Sequence, residues 1–211
     1  MRIEPTDALI VVDLQPDFMP GGALAVPGGD EVAAPIGALA ARFSTVVATQ
    51  DWHPPGHLSF ASAHAGRRPF EVIQLYGAEQ TLWPDHCVQG SAGAALHPAL
   101  PDAAVSLILR KGAHAAVDSY SGFRENLGPD GKRLSTGLGG WLRERGIARV
   151  FVTGLARDFC VQATAVDAAE AGLSVVLVDD LTRSVDETSR ARIDARLAEH
   201  GIQQVKLAEL T

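Results

Sequence analysis

Ala8-Leu9-Ile10-Val11-Val12-Asp13 is an apolar, largely β-branched run that stops on a carboxylate. A short run without polar alternation reads as a strand buried on both faces, the kind that parallel sheets contain. Four more runs share its character: Thr45 to Thr49, Val105 to Leu109, Val150 to Thr153 and Val175 to Val178. Helical spacing fills several of the gaps, first with Val32, Ile36, Leu39 and Phe43, then with Leu138, Trp141 and Leu142, then in a small-residue helix from Cys160 to Ala171. A last helix takes Asp186 as its cap, buries Ile193 and Leu197 and ends at Gly201, ahead of an edge strand around Gln203 to Leu207. The alternation predicts an α/β, doubly wound three-layer fold with a roughly six-stranded parallel sheet flanked by helices.

The 211 residues, 46% hydrophobic and 20% charged, suit one well-buried domain spanning 1–211. A formal net charge of −7, without clustered Lys and Arg, argues against a nucleic-acid surface. The apolar run Ala8 to Val12 is too short for a signal peptide or a membrane span, so no membrane association and a cytoplasmic location are expected. Cys87 and Cys160 do not make a disulfide framework, and each is judged as a separate thiol. The stretch from Trp52 to Ala104, rich in Pro, Gly and His, breaks the strand–helix rhythm and is expected to form loops over the functional site. Gly128-Pro129-Asp130-Gly131 reads as a surface turn.

Open parallel sheets bind ligands beyond the carboxyl ends of their strands, so the residues that follow each strand are the first candidates. Asp13 follows the first, Asp51 and His53 the second and Lys111 the third. Cys160 lies just past the fourth, and Asp179 and Asp180 follow the fifth. Cys160 sits in Thr153-Gly154-Leu155-Ala156-Arg157-Asp158-Phe159-Cys160-Val161, a turn from a buried strand into an Ala-rich helix. A helix N-terminus favours the thiolate, and the same turn can aim the backbone N–H groups of Ala156 and Cys160 at an oxyanion. A small core residue is the alternative. A thiol nucleophile needs a base that later serves as an acid, and Asp13 is the candidate. Lys111 would hold Asp13 and the thiolate in a charged network, or form a plain structural ion pair.

Asp51-Trp52-His53 leaves a strand in extended conformation, so Asp51 and His53 point the same way, a spacing suited to a metal ion. His86 in Trp83-Pro84-Asp85-His86-Cys87 completes a set of one carboxylate and two imidazoles with open positions, and His57 and His64 are possible extra ligands. Histidines in such loops are also found solvated or hydrogen-bonded. Cys87, beside His86 in an extended segment, should point away.

Val12-Asp13-Leu14-Gln15-Pro16-Asp17-Phe18, Asp51-Trp52-His53-Pro54, Ser59-Phe60-Ala61, Trp83 to Cys87, Arg110-Lys111-Gly112 with Asp118-Ser119-Tyr120-Ser121, and the Cys160 turn together resemble the nicotinamidases of the isochorismatase-like hydrolases. The resemblance runs from about Asp7 to Val178. It implies hydrolysis of nicotinamide to nicotinate and ammonia in NAD salvage, through a thioester on a triad of Asp13, Lys111 and Cys160. It also implies one divalent metal ion on Asp51, His53 and His86, zinc first and iron or manganese otherwise, holding the pyridine nitrogen of the substrate. Phe18, Trp83 and Tyr120 match positions around the ring, Ala156 contributes to substrate and oxyanion binding, and the bond before Ala156 matches a cis peptide. Arg157 stands where family members have a smaller or neutral residue, and it is expected to face solvent. A homo-oligomer is an open possibility.

Three rivals share the fold. A vinyl-ether hydrolase would lack the cysteine and the metal set, and amidases for carbamoyl or ureido compounds would keep the triad and lose the metal loop. A non-enzymatic binding protein would have lost a triad position. Asp13, Lys111 and Cys160 are all present, as are Asp51, His53 and His86.

Overall fold

The computed structural model describes residues 1–211. In chain order the elements are β1 (Asp7–Val12), α1 (Ala33–Ala40), β2 (Thr45–Asp51), β3 (Val72–Leu75), β4 (Ala78–Thr81), β5 (Leu107–Lys111), α2 (Leu138–Glu144), β6 (Arg149–Leu155), α3 (Gln162–Glu170), β7 (Ser174–Arg183), α4 (Arg190–Glu199) and β8 (Gln203–Val205). Six strands form one sheet in the order β5-β2-β1-β6-β7-β8, and every neighbouring pair is parallel. No helix is long and apolar enough to cross a membrane.

The period of two along β1 builds both cores. Leu9 and Val11 face a cluster with Ile36 and Leu39 of α1, while Ala8, Ile10 and Val12 face a second cluster with Leu142 of α2, Ala165 of α3 and Ile193 of α4. Helices therefore cover both faces, as a strand with no polar alternation requires. Gly201 ends α4 in the left-handed conformation (φ +67°) that a glycine C-cap provides, and Asp186 accepts from Thr188 N at the entry to that helix.

Three boundaries differ from the sequence reading. β5 starts two residues later than Val105 and ends on Lys111, which pairs with Asp51, so both functional side chains belong to strand ends. β7 runs on to Arg183 through a register irregularity opposite Val152 and Gly154. The loop stretch from Trp52 to Ala104 contains the β3–β4 antiparallel hairpin, whose half-buried strands are too short to show a clear period.

Gly154 shows how tightly β1 and β6 pack beside the site. Its φ is +109°, and a Cβ there would lie 2.0 Å from the Val12 carbonyl oxygen. Gly154→Ala is therefore expected to lower the unfolding free energy by at least about 2 kcal/mol. Denaturant titration checks this, and an unchanged midpoint would contradict the close approach.

Candidate active site

The four central positions of the site come from four consecutive strands. Across the sheet, Lys111 ends β5, Asp51 ends β2, Asp13 follows β1, and Cys160 lies in the turn after β6. Parallel pairing puts all four carboxyl ends on one rim, which brings together residues far apart in the chain.

Lys111 is buried, and its Nζ lies 2.7 Å from Asp13 Oδ2, 2.9 Å from Asp51 Oδ1, 3.0 Å from the Ser119 carbonyl oxygen and 3.4 Å from Cys160 Sγ. Burial alone would lower its pKa, but the charges of Asp13 and Asp51 raise it well above the ordinary lysine value. The ammonium is therefore permanent across the physiological range. Burial raises the Asp13 carboxyl, with Lys111 opposing that shift, so Asp13 is a stronger base than a solvated aspartate. Burial also raises the Cys160 thiol well above its usual value, Lys111 opposing and the Asp13 and Asp51 charges adding to the rise. Burial and the two carboxylates thus work against the thiolate that a helix N-terminus favours.

Asp13 is held from two sides. Its backbone adopts a left-handed φ of +47°, uncommon outside glycine and concentrated at functional sites. Thr49 Oγ accepts from Asp13 N at 3.1 Å and donates to Asp13 Oδ1 at 2.7 Å. Oδ2 makes its close contact with Lys111 but no well-directed hydrogen bond, so it has acceptor capacity left for a proton. Gln15, also buried, accepts from Asp51 N at 2.7 Å and donates to Asp51 O at 2.9 Å. Thr49 belongs to no motif, and Gln15 lies in the motif after the first strand without a role assigned to it from sequence. Their signal is polarity next to apolar strands, where an amide or hydroxyl must have partners.

Asp51, His53 and His86 converge as a ligand set. Asp51 Oδ2 lies 3.2 Å from His53 Nε2 and 3.4 Å from His86 Nε2. His53 Nδ1 donates to the Gly112 carbonyl at 3.0 Å and His86 Nδ1 to the Pro84 carbonyl at 2.8 Å. A carbonyl only accepts, so each imidazole carries a proton on Nδ1 and presents Nε2 to Asp51, whose charge raises the pKa of His53 despite its burial. One carboxylate oxygen and two imidazole lone pairs on a common point fit a divalent cation. Burial would raise the Asp51 carboxyl, yet His53 and Lys111 together bring it well below its ordinary value, which keeps it ionised for that role.

His57 lies against His53, their ring centroids 4.3 Å apart, and with His53 and Asp118 forms a second group of potential donors. Its nitrogens are already engaged: Nε2 donates to the His114 carbonyl at 3.0 Å, and Nδ1 pairs with Ser59 Oγ at 2.7 Å. His64 lies outside both groups and pairs with the Leu58 carbonyl at 2.8 Å. Cys87 is buried and free, and it too stands apart from the ligand set. Its backbone is left-handed (φ +45°) rather than extended, fixed by Cys87 N donating to Asp17 Oδ2 at 2.7 Å.

Phe18, Trp83, Tyr120, Ala156 and Cys160 line one small pocket together with the ligand set. Phe159, unforeseen by sequence reasoning although adjacent to Cys160, completes the aromatic wall, its ring 4.7 Å from Trp83 and 5.6 Å from Tyr120. Gln80 and Trp83 both donate to the Tyr120 hydroxyl, at 3.2 Å and 3.3 Å. The Leu155–Ala156 peptide is cis.

Two further expectations do not hold. Asp179 and Asp180 do not reach the rim, because the β7 irregularity turns them away: Asp179 pairs with Arg157 and Arg190, and Asp180 accepts from Leu207 N. Arg157 does not face solvent. It is 1% exposed, drawn inward by Asp179 and Asp194.

Residues 7–208 match the isochorismatase domain. The chain is 51% identical over 179 residues to a nicotinamidase of Acinetobacter baylyi, covering 85% of this chain and 82% of the relative. Among solved structures, it superposes on a nicotinamidase–pyrazinamidase of Acinetobacter baumanii with a TM-score of 0.92 at 43% identity, over 98% of both chains. The yeast nicotinamidase Pnc1p bound to the inhibitor nicotinaldehyde matches with a TM-score of 0.86 at 32% identity, over 95% of this chain and 99% of that one. A pyrazinamidase of Pyrococcus horikoshii in complex with zinc matches with a TM-score of 0.77 at 35% identity, over 96% of this chain and all of the other (100%).

Gly112 offers a test of the ligand set that leaves every donor in place. Its φ is +64°, and a Cβ there would lie 2.4 Å from His53 Cε1. If Asp51, His53 and His86 hold a divalent cation, Gly112→Ala should push His53 off its carbonyl partner and weaken binding of that cation about 10- to 100-fold, measured by chelator competition with added zinc, iron or manganese. Unchanged affinity would mean that His53 is not held in this way.

Proposed function

This chain belongs to the isochorismatase-domain family, and on that premise we propose that it is a nicotinamidase, hydrolysing nicotinamide to nicotinate and ammonia through a thioester on Cys160. The observation that carries the reading is the set of Lys111 distances, which ties a thiol, a proton-accepting carboxylate and a metal-ligand carboxylate to one ammonium. The likeness to nicotinamidases over most of the chain supports the substrate class.

Phe18, Trp83, Tyr120 and Phe159 form a slot for a flat aromatic ring, with the metal ligands and Cys160 also on its wall. Asp51, His53 and His86 would hold the divalent cation, zinc by preference, and when bound it supplies a Lewis-acid anchor for the pyridine nitrogen. Cys160 Sγ attacks the amide carbon as its proton passes to Asp13, forming the S–C bond. The oxyanion is met by the N–H groups of Ala156 and Cys160. Asp13 returns the proton to the amide nitrogen, the C–N bond breaks and ammonia leaves. A water then gives its proton to Asp13 and attacks the thioester. The C–S bond breaks, and the Asp13 proton restores the thiol. Lys111 offsets negative charge at both carboxylates throughout. The nicotinate formed would feed NAD salvage.

Cys160→Ala should fold normally and lose more than about 10³-fold in ammonia release from nicotinamide, and a folded variant that keeps the parent rate would contradict the mechanism. Removal of metal by chelation should weaken nicotinamide binding while leaving the rate of Cys160 alkylation by iodoacetamide nearly unchanged. An equal loss in both, or in neither, would contradict the assigned role of the ligand set.

A further inference from the structure

Arg157 heads the fully buried side chains by size, and it follows Ala156 directly in the catalytic turn. Its contacts lie at the far end of the guanidinium: Nη1 is 2.7 Å from Asp179 Oδ1 and 3.0 Å from Thr182 Oγ, and Nη2 is 2.6 Å from both Asp194 Oδ1 and Gln204 Oε1. Those partners sit on β7, α4 and β8. Nε makes no hydrogen bond, so the side chain acts as a strut fastened at its tip. Arg190 closes the arrangement by pairing with the same two carboxylates, at 2.6 Å from Asp179 and 3.1 Å from Asp194, giving two cations and two anions.

Burying a guanidinium is costly, and buried ion pairs commonly add little net stability over apolar packing. What such a network supplies is a fixed geometry, and the group it fixes here is the wide π-type turn Arg157–Val161 that carries Cys160. Ala156 O accepts from both Phe159 N and Val161 N, so the backbone on either side of Arg157 moves as one piece with the nucleophile. Oxyanion donors act by being already in place, and a turn free to shift forfeits that advantage.

We infer that Arg157 is a positioning residue for the reaction: its guanidinium anchors the Ala156–Cys160 oxyanion turn to β7, α4 and β8 from behind, at a distance from substrate. The inference rests on the proposed chemistry for its kinetic consequence, but the restraint on the turn can be read without any substrate.

The test compares parent and Arg157→Met in two measurements, steady-state ammonia release from nicotinamide and amide hydrogen exchange over residues 154–161. Met fills much of the space, and Arg190 still pairs both carboxylates. The variant is expected to lose about tenfold or more in kcat with KM little changed, and to exchange at least tenfold faster in that segment while β1 and β2 stay protected. If Arg157→Met does not fold, Asp194→Asn, at a half-exposed position, is expected to show the same pattern at smaller size. Parent-like exchange in the folded variant, or a KM rise at constant kcat, would overturn the inference. A parent protein that releases no ammonia would overturn the proposed function alone, and the exchange result would still decide the role of Arg157.

Discussion

One buried ammonium organises the carboxyl edge of this sheet. Lys111 is surrounded by the carboxylates of Asp13 and Asp51, the Ser119 carbonyl and the Cys160 sulfur, all within 3.4 Å. Without that charge, two carboxylates would face each other in a water-poor space, and the mutual repulsion would favour protonating one of them. With it, Asp51 is held well below the usual carboxylate range, as the proposed ligand role needs, and Asp13 keeps a raised affinity for protons, as the proposed base needs. The electrostatics of nucleophile and ligand set are thus one problem with a shared solution.

The fold makes this possible through register. Asp51 and Lys111 are paired residues at the ends of neighbouring parallel strands, and the Asp13 and Cys160 turns leave the next two strands in order. The polar groups that orient the site are backbone carbonyls and residues beside the strand ends. Thr49 sets Asp13, Gln15 sets the Asp51 backbone, and Gly112 and Pro84 fix the histidine tautomers. Thr49 sits on the sheet and Gln15 is hydrogen-bonded to it, which is how a reactive constellation is held without rearrangement.

Much of the fold is legible in the sequence because the strands are uninterrupted apolar runs, and the candidate site residues are the polar ones at or just beyond which they stop. Strand position alone places Asp13, Asp51, Lys111 and Cys160 at or just beyond the carboxyl ends of the strands, which is where the structure has them. Side-chain direction was harder to read where the backbone departs from regular geometry. The β7 irregularity removed Asp179 and Asp180 from the rim, and a left-handed residue replaced the extended backbone assumed at Cys87. The burial of Arg157 is hidden in the sequence because a guanidinium in a turn ordinarily seeks water, and its partners Asp179, Asp194 and Gln204 are at least twenty-two residues further along the chain. Thr49 carries no motif, and the motif that contains Gln15 does not say that its amide clasps the Asp51 backbone.

The central claim is that Cys160, served by Asp13 and Lys111, forms a covalent acyl bond during turnover. Its most direct test is rapid acid quenching of enzyme mixed with nicotinamide, followed by peptide mass spectrometry. A nicotinoyl group on the peptide containing Cys160, appearing before steady state and decaying as substrate is consumed, is the expected result. Turnover that proceeds with Cys160 unmodified at every quench time, or with the acyl group on Cys87, would contradict the account.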